Sequence, residues 1–439
     1  MTQLRYRPQS ARSRLSKPIA IAGAACAALA LLGLSAWLVY QIPFVHDRLE
    51  WRVTELRARV FYSLNPPEEA IFTPQATVAA MVQSTMAAYT TSPPAAGAPS
   101  ATATPAPTPT APSTPLPPSV RLTGVRYERQ TWNNCGPANL SMALSFWGWQ
   151  GSQRDTAEVL KPNPRDKNVM PYEMASYVEG HTGLRIVVRY GGTPDTLRRL
   201  LAAGFPVIIE KGFEGTSFDG WMGHYQVLTG YDEAQQVFVA QDSYVAPDVL
   251  VPYDIVESYW RNFNFVYLVA YPPEREAELL ALLGRQADYT ASVQDAAERA
   301  GREALTLTGR DQYFAWFNRG TSLILLQDYA GAAAAYDAAF QLYPSIPGTQ
   351  RPWRMLWYQT GPYFAYFYSG RYHDVINLAT TTLNAMEEPI LEESYYWRAL
   401  AREALGDLDG AVADLRASLS YHPGFGPSLA ALQRMGYTP

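Results

Sequence analysis

The chain has 439 residues, of which 48% are hydrophobic and 17% are charged, as in ordinary globular proteins. One hydrophobic core does not grow to this size, so the length predicts two or three domains. The formal net charge of −5 is small and gives no indication of nucleic-acid binding, so we expect no nucleic-acid partner. With only two cysteines, an intramolecular disulfide is not expected and a cysteine-based zinc site is excluded.

The N-terminal segment 18–42 is typical of a transmembrane signal anchor. The run from Pro18 to about Tyr40 contains no charged residue, and a membrane-spanning helix needs about 20 such residues. The preceding tail, 1–17, carries basic charges only, which predicts a cytoplasmic N-terminus and extracytoplasmic domains. A cleaved signal peptide is the alternative, but its apolar region is ordinarily only about 7–15 residues long. We therefore expect a single-pass protein of the cell membrane.

Two further segments separate this anchor from the first globular domain. Residues 43–66 carry apolar residues at helical spacing and charged residues on the other faces, which predicts a juxtamembrane amphipathic helix. This helix either packs on its own chain or on the membrane surface, or it forms a short parallel coiled coil. Residues 67–118 are rich in proline, alanine and threonine, which predicts a disordered linker that spaces the following domains from the membrane.

Cys135 lies in a sequence that predicts the start of a helix. Gly136 permits a tight entry, Pro137 suits a first helical turn, and apolar residues follow at helical spacing. A helix N-terminus favours the thiolate, because the helix dipole and the unpaired backbone N–H groups lower the pKa of the thiol. A lone cysteine can also be inert core filler. The position of Cys135 favours a reactive nucleophile.

His224 is the histidine best placed to act as the base of this nucleophile. It opens an alternating run that predicts a strand, and a second predicted strand, 237–242, follows a polar turn. A turn centred on Glu233 pairs 228 with 238 and His224 with Asp242, which places the last two side by side on one face. Asp242 is also explained as an ordinary turn residue. The shared register favours a catalytic carboxylate that orients the imidazole.

Three features of the sequence resemble the bacteriocin-processing, double-glycine-leader cysteine peptidases. They are the motif Gln-x4-Cys-Gly-Pro at 130–137, the run His-Tyr-Gln-Val-Leu-Thr-Gly-Tyr at 224–231 and the strand that ends in Asp242. The resemblance implies a papain-like cysteine peptidase domain of the α+β class over 119–273. It also implies that Gln130 donates a side-chain N–H to the oxyanion, beside the backbone N–H of Cys135.

The resemblance has limits. The best-known members of this family lie in the cytoplasm as a part of an export transporter, whereas this domain is expected outside the cell. We therefore do not transfer the specificity for double-glycine leaders. A glycine- and aromatic-rich stretch at 212–223 precedes His224, and its side chains, which include Phe213, Phe218 and Trp221, either line a substrate cleft or cover the core.

Residues 274–439 resemble an all-α tetratricopeptide-repeat solenoid. The consensus positions of a repeat of about 34 residues are met from Trp316 to Pro344 and again from Tyr395 to Pro423, with a degenerate repeat between them. The resemblance implies a groove that binds peptide segments.

An aromatic-rich stretch at 353–372 lies inside this repeat region. It either forms a peptide-binding surface or, as we favour, fills the core between helices. Pro362 should break or kink a helix there. A capping helix is expected at 427–435.

Together these features predict a membrane-anchored, extracytoplasmic cysteine peptidase. In this hypothesis Cys135 attacks the peptide carbonyl, His224 transfers the proton, Asp242 orients His224 and Gln130 holds the oxyanion. The chemistry requires no cofactor and no metal ion, and we expect neither. The expected partners are a peptide or protein substrate, a membrane bound through one helix, and a protein bound by the repeats. Two alternatives stay open: a catalytically inactive peptide-binding scaffold, and a thiol acyltransferase or amidase that acts on a non-peptide amide.

Overall fold

A computed structural model of the chain describes residues 17–67, 70–74, 115–215 and 220–438. The chain divides into two compact units, Met1–Leu64 and Asn65–Pro439. The predicted cytoplasmic tail, 1–17, lies outside the described residues except for Lys17.

The N-terminal unit contains two helices, α1 (Lys17–Tyr40) and α2 (Pro43–Leu64). In the described part of the chain, no helix has the length and the apolar character needed to cross a membrane. The predicted signal anchor at 18–42 is therefore not confirmed. Large apolar side chains of both helices are exposed, and on α2 they belong to the predicted amphipathic stripe. Those of α2 are Leu49, Val53, Leu56, Val60 and Leu64.

The second unit begins with a short segment that packs on its C-terminal helices. Phe72 and Pro74 are buried, whereas their neighbours Ile71 and Thr73 are exposed, which is the alternation of an extended chain. This packing differs from the disordered linker predicted for 67–118. An isolated phenylalanine gives no periodic signal, so its burial was not visible in the sequence pattern. Most of the remaining linker lies outside the described residues.

The first globular domain is built on one antiparallel sheet. Its strands are β1 (Ser119–Arg121), β2 (Arg185–Arg189), β3 (Val207–Glu214), β4 (Trp221–Asp232), β5 (Val237–Gln241), β6 (Val249–Pro252) and β7 (Tyr267–Tyr271). Their order is β2-β7-β3-β4-β5-β6, with β1 paired to β4. Both faces are covered, since Ile208 and Val227 lie in one apolar core and Ile209 and Leu228 lie in another. Coverage on both faces explains the continuous apolar run of β7 and the apolar first half of β3.

Helices cover the two faces of this sheet. They are α3 (Cys135–Phe146), α4 (Gln153–Leu160), α5 (Pro171–His181), α6 (Pro194–Ala202) and α7 (Tyr253–Trp260). On one face α3 and α5 contribute Leu140 and Met174 to the core. On the other face α6 and α7 contribute Leu200 and Trp260. The α+β class predicted for this domain is confirmed.

The hairpin of β4 and β5 has a different register from the predicted one. Leu228 pairs with Ala240 rather than with Phe238, and Tyr231 pairs with Phe238. The reason is that buried Tyr231 extends β4 as far as Asp232, so the turn comes later in the chain, and a bulge after Leu228 adds one residue to β4. At Val227 and Leu228 the shift is two positions along β5, which keeps these pairs on their predicted faces, and beyond the bulge it is three.

The C-terminal domain is an all-α array, as predicted. Its helices are α8 (Glu276–Leu283), α9 (Tyr289–Thr306), α10 (Gly309–Leu325), α11 (Tyr329–Leu342), α12 (Met355–Tyr358), α13 (Gly361–Tyr368), α14 (Tyr372–Asn384), α15 (Glu392–Ala404), α16 (Leu408–Tyr421) and α17 (Gly426–Arg434). The helices α10 and α11 approach closely at Gly320, where a Cβ atom would lie 2.7 Å from the ring of Tyr336. The pair α13 and α14 forms the degenerate middle repeat, and the short helix α12 lies in the insertion before it.

Aromatic side chains fill the contacts between these helices. Tyr336, Tyr363 and Tyr366 are fully buried, and the residues of α12 are buried as well. Most of the stretch 353–372 is therefore interhelical core, as favoured, whereas Tyr368 is exposed. Pro362 lies in the first turn of α13, so the chain is interrupted before the proline and a new helix begins with it.

Candidate active site

Cys135 is the first residue of α3, and its half-buried thiol lies at the N-terminus of that helix. Among the described residues, no side chain caps this end, so the backbone N–H groups of the first turn stay available. Gly136 lets the helix begin against a neighbouring loop, because a Cβ atom there would lie 3.1 Å from Cβ of Val169. The N–H groups and the helix dipole both favour the thiolate.

Strand β4 has a free edge at the point where α3 meets it. Its neighbour β5 ends at Gln241, which pairs with Val227. Among the described strands, residues 221–226 of β4 therefore have a partner, β3, on one side only. Buried backbone groups need hydrogen-bond partners, and α3 supplies them on the other side.

Asn139 of α3 fastens the nucleophile to this edge. Its Nδ2 donates to the backbone oxygen of Tyr225 over 2.8 Å and to that of Cys135 over 2.9 Å. The backbone N–H of Tyr225 donates to the sulfur of Cys135. The thiol is thereby held beside the residue that precedes Tyr225, which is His224.

His224 is buried, with 4% of its surface exposed, and its Nε2 lies 2.9 Å from Oδ1 of Asp242. Oδ2 of the same carboxylate accepts a hydrogen bond from Nε2 of Gln226. The backbone N–H groups of Tyr244 and Val245 donate to Oδ1 over 2.9 and 3.0 Å. These donors fix the carboxylate, and the bond through Nε2 leaves Nδ1 of His224 for the thiol.

The contact between His224 and Asp242 was predicted correctly, although the two residues are not direct cross-strand neighbours. Asp242 follows the last residue of β5, and the observed register, extended by one position, places Gln226 opposite it. His224 lies two residues from Gln226 on the same face, a diagonal that long side chains span. Asp242 is thus a turn residue and the partner of the histidine at the same time.

The pKa of His224 is raised, whereas that of Cys135 is lowered. Burial disfavours the imidazolium, but the charge of Asp242 and hydrogen bonds with Asp242 and Cys135 outweigh burial and raise the pKa of His224 to about 9. Burial disfavours the thiolate as well, but the hydrogen bond with His224 and its charge hold the pKa of Cys135 below its ordinary value. Burial raises the pKa of Asp242, and the charge of His224 reverses that effect. Both shifts favour a thiolate–imidazolium pair.

Gln130 is connected to the nucleophile helix through Ser243. Oγ of Ser243 donates to Oε1 of Gln130 over 2.8 Å, and the backbone N–H of Gln130 donates to the backbone oxygen of Ser243 over 2.9 Å. Nδ2 of Asn139 donates to the same hydroxyl over 2.9 Å. Because the amide of Gln130 uses its oxygen in this chain, its Nε2 remains a donor for a substrate oxygen.

The site lies inside a segment that matches a known family. Residues 122–268, about a third of the chain, match the Peptidase_C39 like family. Residues 313–346 and 393–424 match the tetratricopeptide repeat. The chain carries a C39-like cysteine peptidase domain followed by tetratricopeptide repeats.

Two solved structures are similar to the C39-like domain. One, from Bacillus anthracis and described as a C39-like peptidase, is 19% identical over 35% of this chain and 97% of its own, with a TM-score of 0.29. The other is a double glycine motif protease from an AMS/PCAT transporter in complex with the leader peptide. It is 20% identical over 35% of this chain and 94% of its own, with a TM-score of 0.27. No curated protein matches the chain.

A second cation of the C39-like domain lies near the nucleophile. Lys161 is buried after α4, and its Nζ donates to the backbone oxygen of Asn133 over 2.7 Å. Burial lowers the pKa of Lys161 to about 8, against the opposing charges of Asp166 and Cys135. The charge of Lys161 in turn lowers the pKa of the thiol. Lys161 therefore fixes the loop before Cys135 and adds positive potential to the site.

The repeat domain contacts β4 immediately before His224. Nη1 of Arg354 donates to the backbone oxygen of Trp221 over 3.0 Å. The rings of Tyr358 and Trp221 pack edge to face with centroids 6.0 Å apart. At Gly223 a Cβ atom would lie 2.8 Å from Cδ1 of Tyr358. The insertion that contains α12 therefore packs against strand β4 of the C39-like domain.

The stretch 212–223 contributes one side chain to the core and another to the surroundings of the site. Trp221 belongs to the core shared with the repeat domain. Phe213 instead lies beside the site, with its ring centroid 5.3 Å from that of His224. Phe218 lies outside the described residues. Among the residues that the structure describes, no group of His, Cys, Asp and Glu is placed to hold a metal ion.

All four predicted site residues are brought together, and their catalytic roles stay predictions. The residues that hold them were not predicted from the sequence, although some of them gave a signal. Gln226 is two residues after His224 in a strand, hence on the same face. Asn139 is a polar residue in an apolar helix, four positions after Cys135. Ser243 and Lys161 gave no signal, because their roles depend on how separate elements pack. 

The ion pair predicts a low titration midpoint for Cys135. Its alkylation by iodoacetamide should reach a plateau at a pH well below the midpoint of about 8.5 of an ordinary thiol. His224→Ala removes the charge and the hydrogen bond while burial remains, so the midpoint should rise to about 8.5 or above. The measurement is the alkylation rate against pH in a Cys26→Ser background.

His181→Ala is the matched control for this titration. His181 ends α5, where its Nδ1 lies 3.3 Å from the backbone oxygen of Tyr177, so its loss should leave the midpoint unchanged. Equal midpoints in the His224→Ala variant and the parent would contradict the assigned ion pair.

Proposed function

We propose that this protein hydrolyses peptide bonds through thiol chemistry at Cys135. One observation carries the proposal: buried His224 bonds Asp242 through Nε2 and interacts with a thiol at the N-terminus of α3. A histidine between a carboxylate and a cysteine is the arrangement of an activated nucleophile. The match of this domain to the Peptidase_C39 like family supports the same chemistry.

In the first half-reaction the thiolate of Cys135 attacks the peptide carbonyl carbon. The negative charge that develops on the carbonyl oxygen is stabilised by Nε2 of Gln130 and by the backbone N–H of Cys135. When the tetrahedral intermediate collapses, the C–N bond breaks and His224 gives its Nδ1 proton to the leaving amine. A thioester with Cys135 and a free amine result.

In the second half-reaction water hydrolyses the thioester. Neutral His224 accepts a proton from the water, and the resulting hydroxide attacks the acyl carbon. Collapse of the second intermediate breaks the C–S bond, releases a carboxylic acid and restores the thiolate and the imidazolium. Asp242 keeps the imidazole in the tautomer whose Nδ1 faces the sulfur, and Gln226 holds the carboxylate in place.

The repeat domain is the candidate site for recruiting substrate or a partner protein. The helices α13, α15 and α17 line a groove of about 610 Å³. Phe367 and Leu400 provide apolar surface in it, and a salt bridge between Arg434 and Glu403 crosses one side. A groove with an apolar floor and charged sides suits an amphipathic peptide segment.

The proposal extends to the location of the enzyme. The exposed apolar side chains of α1 and the basic residues that precede them support a membrane-anchored N-terminal unit with the catalytic domain outside the cell.

The location predicts the behaviour of the full chain with a C-terminal tag. We expect the chain in the membrane fraction after an alkaline carbonate wash, and we expect added protease to remove the tag from intact spheroplasts. A variant that lacks residues 1–42 is the control and should be recovered without membrane. Recovery of the full chain in the soluble fraction would reject this part of the proposal.

The central prediction concerns the two cysteines. Cys135→Ala should lower hydrolysis of a peptide library by at least about a thousandfold, because no nucleophile remains. Cys26→Ala is the matched control and should retain full activity, since Cys26 lies in α1. Mass spectrometry of the products gives both the rate and the cleaved bonds. Equal hydrolysis by the Cys135→Ala variant would sink the proposal, and cleavage of non-peptide amides alone would favour the amidase alternative.

Gln130 should affect turnover and leave the thiol unchanged. We expect Gln130→Ala to lower kcat by about a hundredfold or more with little change in KM, because its donor acts on the oxyanion of the transition state. Gln150→Ala, at an exposed glutamine beyond α3, is the matched control. The pH profile of alkylation should be the same in both variants. A loss confined to KM would show that Gln130 binds substrate instead.

A further inference from the structure

The segment 70–74 fills an apolar pocket of the repeat domain. The ring of Phe72 packs on Phe340 of α11 with centroids 5.0 Å apart, and on Tyr366 of α13 with centroids 5.9 Å apart. Only 7% of the surface of Phe72 is exposed. The pocket keeps an unfilled volume of about 40 Å³. It also includes Tyr313, Tyr343, Trp353, Met355, Leu356 and Leu378.

The occupant has the form of a bound peptide. Phe72 and Pro74 are buried, and the two residues that alternate with them, Ile71 and Thr73, are exposed. No described strand or helix includes these residues. An aromatic anchor in a pocket, carried by an extended chain, is a recurring mode of peptide recognition.

The insertion around α12 has this pocket on one side and the C39-like domain on the other. Met355 and Leu356 line the pocket. Arg354, the preceding residue, donates to the backbone oxygen of Trp221, and Tyr358, at the end of the same short helix, packs against Gly223. Gly223 is followed directly by His224. A short helix is held by its contacts more than by its own hydrogen bonds, so filling the pocket stabilises the surface on which β4 rests.

We propose that residues 70–74 are an intramolecular peptide ligand of the repeat domain, and that their docking positions α12 against β4 next to His224. The pocket takes an extended segment with a phenylalanine and a proline two residues later. Phe72 is a positioning residue for the peptidase site, which is fully competent only when the pocket is filled. This coupling rests on the proposed function, whereas the docking itself does not.

Binding in trans tests the docking. Phe72→Asp in the full chain should empty the pocket, because a carboxylate is not stabilised among aromatic rings. A fluorescent synthetic peptide of residues 65–76 should then bind this variant in a saturable way. It should bind the parent chain at least about tenfold more weakly, because the resident segment competes. The same peptide with alanine in place of the phenylalanine is the matched ligand control and should not bind.

Activity tests the coupling. Phe72→Asp should lower kcat on a cleaved peptide by about tenfold to a hundredfold with KM little changed, because the base is displaced and the substrate cleft is not. Addition of the 65–76 peptide should restore kcat. Ile71→Asp, at the exposed neighbour, is the matched control and should behave like the parent. Phe72→Leu keeps an apolar anchor and should show a smaller loss.

The outcomes separate the two proposals. Equal kcat in the Phe72→Asp variant and the parent overturns the coupling, and failure of the peptide to bind a folded Phe72→Asp chain overturns the docking. If Phe72→Asp does not unfold cooperatively, an unchanged kcat in Phe72→Leu overturns the coupling instead. If the parent hydrolyses no peptide, the alkylation rate of Cys135 replaces kcat. The coupling then predicts a slower rate near neutral pH in the variant and recovery with peptide.

Discussion

The early end of β5 at Gln241 decides how the site is assembled. Beyond that residue β4 has no described strand on one side, and its buried backbone groups need other partners. The N-terminal part of α3 binds this unpaired edge of β4, where Asn139 donates to the backbone oxygen of Tyr225. This contact places the thiol of Cys135 beside the strand. The turn that ends β5 orders the carboxylate of Asp242 with its own backbone N–H groups and directs it to His224. One interruption of strand pairing therefore locates the nucleophile, the base and the carboxylate together.

The charges of the site are stabilised mainly by one another. Burial opposes the charged forms of Cys135, His224 and Asp242, and in each of the three the net pKa shift favours the charged form only because of the neighbouring groups. A buried charge that loses its partner is strongly destabilised. Neutral hydrogen bonds connect Gln130, the proposed oxyanion donor, with Ser243 and Asn139 beside this charged group. The charged residues and the neutral hydrogen-bonded residues are thus connected to one another in the same site.

The sequence predicted those features that depend on residues close together in the chain. The helix start at Cys135 and a strand through His224 follow from residue types and periodicity, and the repeats follow from consensus spacing, although β4 begins at Trp221 and not at His224. The register of the hairpin was wrong because a bulge and a later turn shift pairing without changing the alternation of side chains. The contact with Asp242 survived, since an even shift preserves the face. The buried Phe72, the lysine beside the thiol and the insertion against β4 depend on contacts between distant segments, for which a single sequence contains no periodic signal.

Because Phe72 is docked on the repeat domain, the proline-rich stretch 75–114 begins at a residue of the second unit. Both of its ends, Pro74 and the residues before β1, belong to the same compact unit. In the sequence it connects two parts of the second unit, and it does not connect the two units with each other. In the sequence, the two units are joined where α2 ends at Leu64. Insertions or deletions in 75–114 therefore change the length of a connection within the second unit, and they leave the chain between Leu64 and Ala70 as it is.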